Sequence, residues 1–110
     1  MNTASVATGK IEHLLDGEGF FNDAEAWNED LAIRIAHNDG FPELTADHWI
    51  ILHALREHYH RFGAAPPAFS HLCNEHHLGR HCVEKLFRSE REAWRIAGLP
   101  DPGAEAKAYM

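Results

Sequence analysis

Apolar residues recur every three or four positions in two stretches of the first half of the chain, as on the buried face of a helix. The first stretch lies within residues 22–40, where Asn28 is suited to cap the helix start and Gly40 to end it. The second follows Thr45, a good N-cap, and stops at Gly63. Its apolar side is formed by Trp49, Leu52, Leu55, Tyr59 and Phe62. The pattern therefore predicts two amphipathic helices before residue 63.

Prolines and glycines divide the second half of the chain into further helices. Pro66 and Pro67 make a rigid bend, after which residues 68–77 have a helical pattern. Gly79 interrupts that pattern, and a fourth helix is predicted over residues 80–97. The sequence thus predicts a mostly α-helical bundle in which the third and fourth helices form a helix-turn-helix-like pair.

A glycine-rich turn near the start of the chain adds one β element to this prediction. The run Asp16-Gly17-Glu18-Gly19 stands between apolar residues, which is a hairpin signal, and a small two-stranded ribbon is predicted over residues 10–21. Residues 1–9 are expected to fray. A length of 110 residues fits one domain, so we expect a single domain over residues 1–110.

The last residues of the chain are predicted to leave the core. Gly98 is a natural C-cap for the fourth helix, and Pro100 cannot continue a helix. Residues 100–110 are therefore expected to form a flexible arm.

The charge balance restricts the classes of partner. Ten Lys and Arg against 17 Asp and Glu give a net charge of −7, which opposes general affinity for nucleic acid because phosphate binding needs a cationic face. No apolar run approaches the ~20 residues that span a bilayer, and the N-terminus lacks the pattern of a secretory signal. We expect a cytoplasmic protein with no membrane contact.

The segment from His71 to Cys82 concentrates six potential metal ligands in twelve residues. His77 and His81 would lie one helical turn apart, but Gly79 breaks the helix between them and no C-x-x-C pair is present. Exposed histidines on a polar face explain the pattern more simply, and we predict no metal and no cofactor.

Cys73 and Cys82 are the two cysteines of the chain, nine positions apart in a helical-looking stretch. Their spacing does not resemble a disulfide framework. A reactive thiol needs access and nearby cations, and Arg80 and His81 precede Cys82 directly. A cysteine in an amphipathic helix is more often buried and inert, so the two thiols are weak candidate sites.

The fourth predicted helix also carries a modest basic stripe, which raises DNA binding as an alternative. The stripe consists of His81, Lys85, Arg88, Arg91 and Arg95. The acid-rich remainder of the chain argues against this alternative, and similar helix pairs are also ordinary packing units.

The closing run IAGLP, residues 96–100 preceded by Arg95, resembles the C-terminal signature of the DsrC/TusE family of sulfur-relay proteins, which includes the gamma subunit of dissimilatory sulfite reductase. The Gly19-Phe20 turn, the His48-Trp49 pair and the Pro66-Pro67 bend follow in the family's order, and the resemblance covers the chain from about residue 11 to 102. It implies a small hairpin on an orthogonal helical bundle with a helix-turn-helix-like pair and a flexible arm. It also implies protein partners in a sulfur-relay or sulfite-reductase system.

The resemblance implies two sulfur-bearing cysteines, one before the basic-IAGLP run and one at the penultimate position. This chain has Trp94 and Tyr109 at those positions. Neither an indole nor a phenol can replace a thiolate in persulfide transfer. We therefore interpret Trp94 as a core anchor and the chain as a non-catalytic regulatory or binding member, and we leave open whether it is an enzyme. We expect a monomer. The alternative is an active sulfur-relay protein that uses Cys82 or Cys73, and a DNA-binding regulator is a further alternative.

Overall fold

The computed structural model describes residues 11–110, and this part of the chain is mostly helical. Two short 3-10 helices, Ile11–Leu14 and Ala24–Ala26, precede the longer elements. The α-helices are α1 (Glu29–Asn38), α2 (Ala46–Phe62), α3 (Phe69–Glu75), α4 (Cys82–Phe87), α5 (Glu90–Ile96) and α6 (Ala104–Tyr109). Helix α2 packs against α3, α4 and α5, while α1 packs against α5. The expected fraying of residues 1–9 lies outside the described residues.

Helices α1 and α2 begin at the residues that the sequence predicts. The Asn28 side chain accepts a hydrogen bond from the Leu31 backbone N–H at the start of α1. At α2, the Thr45 N–H donates to Nδ1 of His48, whose Nε2 donates to the Leu86 carbonyl 2.8 Å away. The first turn of α2 therefore fixes the His48 imidazole, which ties α2 to α4.

The core is a continuous apolar cluster to which every α-helix from α1 to α5 contributes. Trp94 has no exposed surface, and its ring packs edge-on with Tyr59 and at a tilt with Phe69. The other large side chains that are completely or almost completely buried are Phe20, Phe21, Ile51, Leu52, Leu55, Val83, Phe87, Ile96 and Leu99. Since α2 supplies three of these, it is the helix around which the others pack.

The predicted β-hairpin is wrong. The described residues contain no strand, and only an isolated antiparallel bridge joins Leu15 and Phe21. Oδ1 of Asp16 accepts the N–H groups of Glu18 and Phe20, which closes a tight turn. Phe20 and Phe21 are both buried, and the Phe21 N–H, which points away from Leu15 in this bridge, donates to the Leu99 carbonyl at 3.3 Å.

The predicted fourth helix over residues 80–97 is divided in two. Helix α4 ends at Phe87, and its C-cap Arg88 has φ of +76°. Ser89 then caps α5 by accepting a hydrogen bond from the Glu92 N–H at 3.1 Å. Ser89 and Glu92 form the S-x-x-E signature of a helix start. The sequence therefore contains a signal for a new helix at Ser89, although the apolar spacing favours one continuous helix. The third helix is also shorter than predicted and ends at Glu75.

The expected flexible arm is instead largely helical and docked. Residues 104–109 form α6, and Nζ of Lys107 donates to both carboxylate oxygens of Glu18 at 3.0 and 3.2 Å and to Asp101 at 2.9 Å. These bonds hold the arm against the turn that replaces the hairpin. Across residues 11–110, no helix combines the length and apolar character needed to cross a membrane.

Candidate functional site

The base of the arm is fixed by the backbone carbonyls of residues 96–100. Each of these five carbonyls accepts a hydrogen bond from a group outside the segment, although carbonyls at a helix end often have no protein partner. Trp27 Nε1 donates to the carbonyl of residue 96 at 2.9 Å, and Arg56 Nη1 donates to those of residues 97 and 98 at 2.9 and 3.4 Å. The Phe21 backbone N–H donates to the carbonyl of residue 99 at 3.3 Å, and Trp94 Nε1 donates to that of residue 100 at 2.7 Å. The last bond gives the buried Trp94 indole its partner, as expected of a core anchor.

Gly98 allows the chain to turn at this point. Its φ of +72° lies in the left-handed region, and a Cβ atom placed on it would overlap the ring of Trp27. Trp27 is itself covered by the guanidinium of Arg56, 4.2 Å from the ring centroid. The turn therefore requires glycine for its backbone conformation and for the close approach of Trp27.

Arg95, the basic residue before the turn, is the centre of an ionic cluster. Its Nη1 lies 2.8 Å from Oδ2 of Asp39 and 3.1 Å from Oε2 of Glu92, while its Nε donates to the Gly19 carbonyl at 3.1 Å. Burial and the neighbouring Asp39 carboxylate raise the pKa of Glu92 to about 7, against the opposing effect of Arg95. The cluster links α1, α5 and the turn at residue 19.

Cys73 and Cys82 are joined by a disulfide, contrary to the sequence analysis. In a continuous helix, residues nine apart would be separated by about 13 Å along the axis. The chain instead reverses between α3 and α4 through His77 and Gly79, which both have positive φ, and brings the two Cα atoms to 5.7 Å. The cysteines are 0% and 3% exposed, so neither is a free or open thiol in this state.

A cavity of about 330 Å³ lies beside this disulfide. Cys73 lines it together with the exposed side chains of Arg80 and His81 from the turn. Tyr109, the penultimate residue of the chain, lines the same cavity from the arm and is 80% exposed. Tyr109 near the arm tip and Cys73 of the buried disulfide therefore border the same cavity, which no sequence pattern indicated.

The cavity continues along the arm. A second space of about 580 Å³ is also lined by Pro67, Phe69, Glu90 and Tyr109, and it extends along α6 to Met110. Burial and the charge of Glu84 raise the pKa of Glu90 at the junction. Together the two cavities form a groove between the arm and the loop before α3.

Helices α3 and α4, which the disulfide joins, are weakly capped. Their N-cap residues, Ala68 and His81, make no side-chain capping hydrogen bond, in contrast to Asn28, Thr45 and Ser89 at the starts of α1, α2 and α5. Missing caps typically cost about 1 kcal/mol each. This segment is therefore expected to open more readily than α1, α2 or α5.

The histidines of the same segment do not form a metal centre. His77 and His81 lie on the turn between α3 and α4 and not on one helix face. Among residues 11–110, no group of three or more His, Cys, Asp or Glu side chains is arranged to hold a metal ion.

Three arginines of the predicted basic stripe form hydrogen bonds or ion pairs within the protein. Arg88 donates to the carbonyls of Asp39 and Gly40 and stacks on Phe41. Arg91 pairs with Glu18, and Arg95 belongs to the cluster described above. These contacts leave no continuous cationic face on α4 and α5 for a phosphate backbone.

The sequence resembles known sulfur-relay proteins over most of its length. A family profile described as "DsrC like protein" matches residues 7–104. "Sulfurtransferase TusE" of Salmonella choleraesuis (strain SC-B67) is 34% identical over 95 residues, covering 79% of this chain and 86% of the relative. "Sulfurtransferase TusE" of Escherichia coli (strain K12) is 30% identical over 95 residues and covers the same fractions of the two chains, 79% and 86%.

Two solved structures share the fold. The oxidized gamma subunit of the dissimilatory sulfite reductase (DsrC) from Archaeoglobus fulgidus superposes with a TM-score of 0.71 at 35% identity, covering 82% of this chain and 89% of that one. DsrC of Allochromatium vinosum gives a TM-score of 0.68 at 28% identity, covering 82% and 87%.

Substitution of Gly98 tests the turn at the base of the arm. Gly98→Ala is expected to lower the free energy of unfolding by about 3 kcal/mol or more, because it adds a steric clash with Trp27 to the cost of a left-handed alanine. Gly63→Ala is the matched control, since Gly63 has φ of +69° with open space around it, and should cost only about 1 kcal/mol. Urea unfolding measures both, and equal losses would contradict the close packing of Trp27.

The Arg95 cluster predicts a pH dependence of stability. Because the folded state raises the pKa of Glu92 from 4.5 to about 7, the folded protein binds more protons than the unfolded chain between these values. Glu92 therefore contributes stability that is fully present below pH 4.5 and is lost as the pH rises through 7, on the order of 1 kcal/mol after screening.

Glu92→Gln is the variant that isolates this effect. The difference in unfolding free energy between the wild type and Glu92→Gln should change across this pH range, whereas Glu57→Gln, in an exposed pair with Arg61, should give a flat difference. A flat difference for Glu92→Gln would contradict the raised pKa.

Proposed function

Because this chain belongs to the DsrC/TusE family of sulfur-relay proteins, we propose that it is a working sulfur-transfer protein whose sulfur-bearing position is the Cys73–Cys82 pair. This proposal departs from the non-catalytic interpretation of the sequence. The relatives that carry the name sulfurtransferase favour an active member.

The cavity shared by the arm tip and the disulfide is the observation that carries the proposal. If the family's penultimate cysteine corresponds to Tyr109, Cys73 lines the same cavity as that position. A partner that approaches the arm tip would then stand beside the Cys73–Cys82 pair, which is buried until the surrounding helices open. The second family position corresponds to Trp94, whose burial in the core leaves no room for exchange chemistry.

The chemistry of transfer is available to this pair after reduction of the disulfide. A thiolate of Cys73 or Cys82 can accept the outer sulfur of a donor persulfide, and the donor leaves as a thiolate. Arg80 supplies a cation at the cavity, where Glu84 and Glu90 are the opposing carboxylates. Local opening of the weakly capped helices α3 and α4 would give the donor access.

A docking member that transfers no sulfur is the second candidate. The near-complete burial of both cysteines and the exposed Tyr109 at the arm tip favour it. Such a protein would present the arm to partners of the relay and compete with a sulfur carrier. The DNA-binding alternative has no comparable support, because its arginines are engaged in contacts within the protein.

The domain organisation, oligomeric state, compartment and partners of the protein are also proposals. We propose a single domain over residues 1–110 that acts as a monomer in the cytoplasm, with protein partners of a sulfur relay and without a cofactor. A disulfide in that compartment is typically transient or redox-active, which agrees with an exchangeable Cys73–Cys82 bond.

Sulfur loading tests the proposal. The purified chain is reduced with dithiothreitol, desalted without oxygen and incubated with glutathione persulfide, and its intact mass is measured. We expect a gain of one sulfur atom that maps to Cys73 or Cys82 and can pass to a second thiol. The Cys73→Ser/Cys82→Ser double variant should gain none, and Tyr109→Phe should gain as much as the wild type.

The docking alternative predicts a different result for the same material. No gain of sulfur in the reduced, folded wild type would reject the proposed function. Retained binding to a relay partner in that case would favour the docking member.

A further inference from the structure

We infer that residues 70–85 form a redox-controlled gate, which the Cys73–Cys82 disulfide holds closed and which opens more often once a dithiol has reduced that bond. This gate segment comprises most of α3, the turn after it and the first part of α4. The inference concerns the regulation of the candidate site, and its role in sulfur transfer rests on the proposed function.

Both ends of the gate segment are fixed to the core. On the upstream side, Phe69 is 4% exposed and its ring packs at a tilt against Trp94. On the downstream side, the Leu86 carbonyl accepts a hydrogen bond from His48, and Arg88 donates to two backbone carbonyls just after α1. A local opening is therefore confined to the residues between 69 and 86.

Between these anchors, the gate segment has few bonds to the rest of the protein. Within residues 11–110, its side chains form no hydrogen bond, ion pair or aromatic contact, and the backbone hydrogen bonds of its turns close within residues 68–88. Its buried side chains are Leu72, Cys73, Cys82 and Val83. Since two of these four belong to the bonded cysteines, the disulfide is a major part of what keeps the segment closed.

The turn inside the gate segment is unfavourable for the residue that it contains. His77 has φ of +59°, in the left-handed region that glycine adopts at a lower cost. The disulfide compensates for this cost because it limits the conformations that an open segment can adopt. Reduction removes that limit and shifts the equilibrium towards the open segment.

Opening of the gate segment also opens the candidate site. Ser70, Cys73, Arg80 and Val83 of the segment line the cavity of about 330 Å³ that Tyr109 borders. When the segment moves, this wall of the cavity moves with it, and the two buried cysteines become accessible. The redox state of the pair therefore determines how often a partner at the arm tip can reach a thiol.

The reduction that opens the gate is balanced by the dithiol. One thiolate of the dithiol bonds to one sulfur of the pair, and the other sulfur leaves as a thiolate. The second thiolate of the dithiol then displaces the remaining cysteine, and the dithiol becomes a disulfide. Two electrons and two protons pass from the dithiol to Cys73 and Cys82. Because the oxidised bond is buried, this exchange takes place during an opening of the closed state.

Hydrogen exchange of the wild-type chain in its two redox states tests the gate. One sample is kept oxidised, the other is reduced with dithiothreitol under nitrogen, and both are measured by mass spectrometry of peptides. Reduction should speed the exchange of backbone amides in residues 70–85 by about tenfold to a hundredfold, because the open segment is no longer cross-linked. The amides of α1 and α2 are the internal control and should keep their rates.

Two results would overturn the inference. Equal exchange of residues 70–85 in the two redox states would show that the disulfide does not hold the segment closed. An equal acceleration in α2 would show that the disulfide stabilises the whole fold and controls no local gate.

Substitution of His77 tests the turn as the part that opens. In the reduced chain, His77→Gly should slow the exchange of the gate segment by about threefold, because glycine removes the cost of the left-handed conformation. His76→Gly is the matched control, since His76 is also exposed but has φ of −102°, and it should not slow the exchange. Exchange in His77→Gly that is as fast as in His76→Gly would contradict this role of the turn.

Hydrogen exchange and sulfur loading fail independently. If the reduced chain gains no sulfur from a persulfide while residues 70–85 exchange faster after reduction, the proposed function is wrong and the gate stands. If sulfur is accepted while the gate segment exchanges equally in both redox states, the function stands and the gate is wrong.

Discussion

The five carbonyls of residues 96–100 are the constraint on which the rest of the structure depends. Their donors are Phe21, Trp27, Arg56 of α2 and Trp94 of α5, so one short segment is bonded to the residues before α1, to the central helix and to α5. A buried carbonyl without a partner costs roughly 1–3 kcal/mol. The segment therefore folds with its surroundings, and Gly98 is needed because Trp27 must come close enough to donate.

This anchored segment directs the arm. Beyond Pro100 the chain cannot continue α5, and the contacts of Lys107 with Glu18 and Asp101 hold α6 against the turn. Tyr109 is thereby placed at the cavity that Cys73 lines. A local packing requirement at one helix end thus determines which side chains share the candidate site. The arm has no thiol, and Cys73, which lines the same cavity, is the candidate residue for sulfur transfer.

Much of the fold follows from local signals, and the parts that do not follow depend on long-range contacts. Asn28, Thr45 and Gly63 mark helix ends correctly because caps act within four residues. The split at Ser89 is hard to predict because the apolar spacing continues across it. The hairpin signal marks a real turn, but residues 11–14 before it form a 3-10 helix instead of a strand. The disulfide depends on a turn in which His77, a non-glycine residue, has a positive φ, which helical spacing does not reveal. The resemblance through IAGLP identified the family, while the cavity could be found only in three dimensions.

The central claim is that the arm tip stands at the cavity of Cys73, and cross-linking tests it most directly. In a Cys82→Ser background, which leaves Cys73 unbonded, Tyr109→Cys should form an internal disulfide with Cys73 under mild oxidation, detected by peptide mapping. Ala108→Cys in the same background is the matched control, because Ala108 is exposed and lines neither cavity of the groove. Efficient cross-linking from position 109 and little from position 108 is the predicted result. Equal cross-linking from both, or none from position 109, would contradict the account.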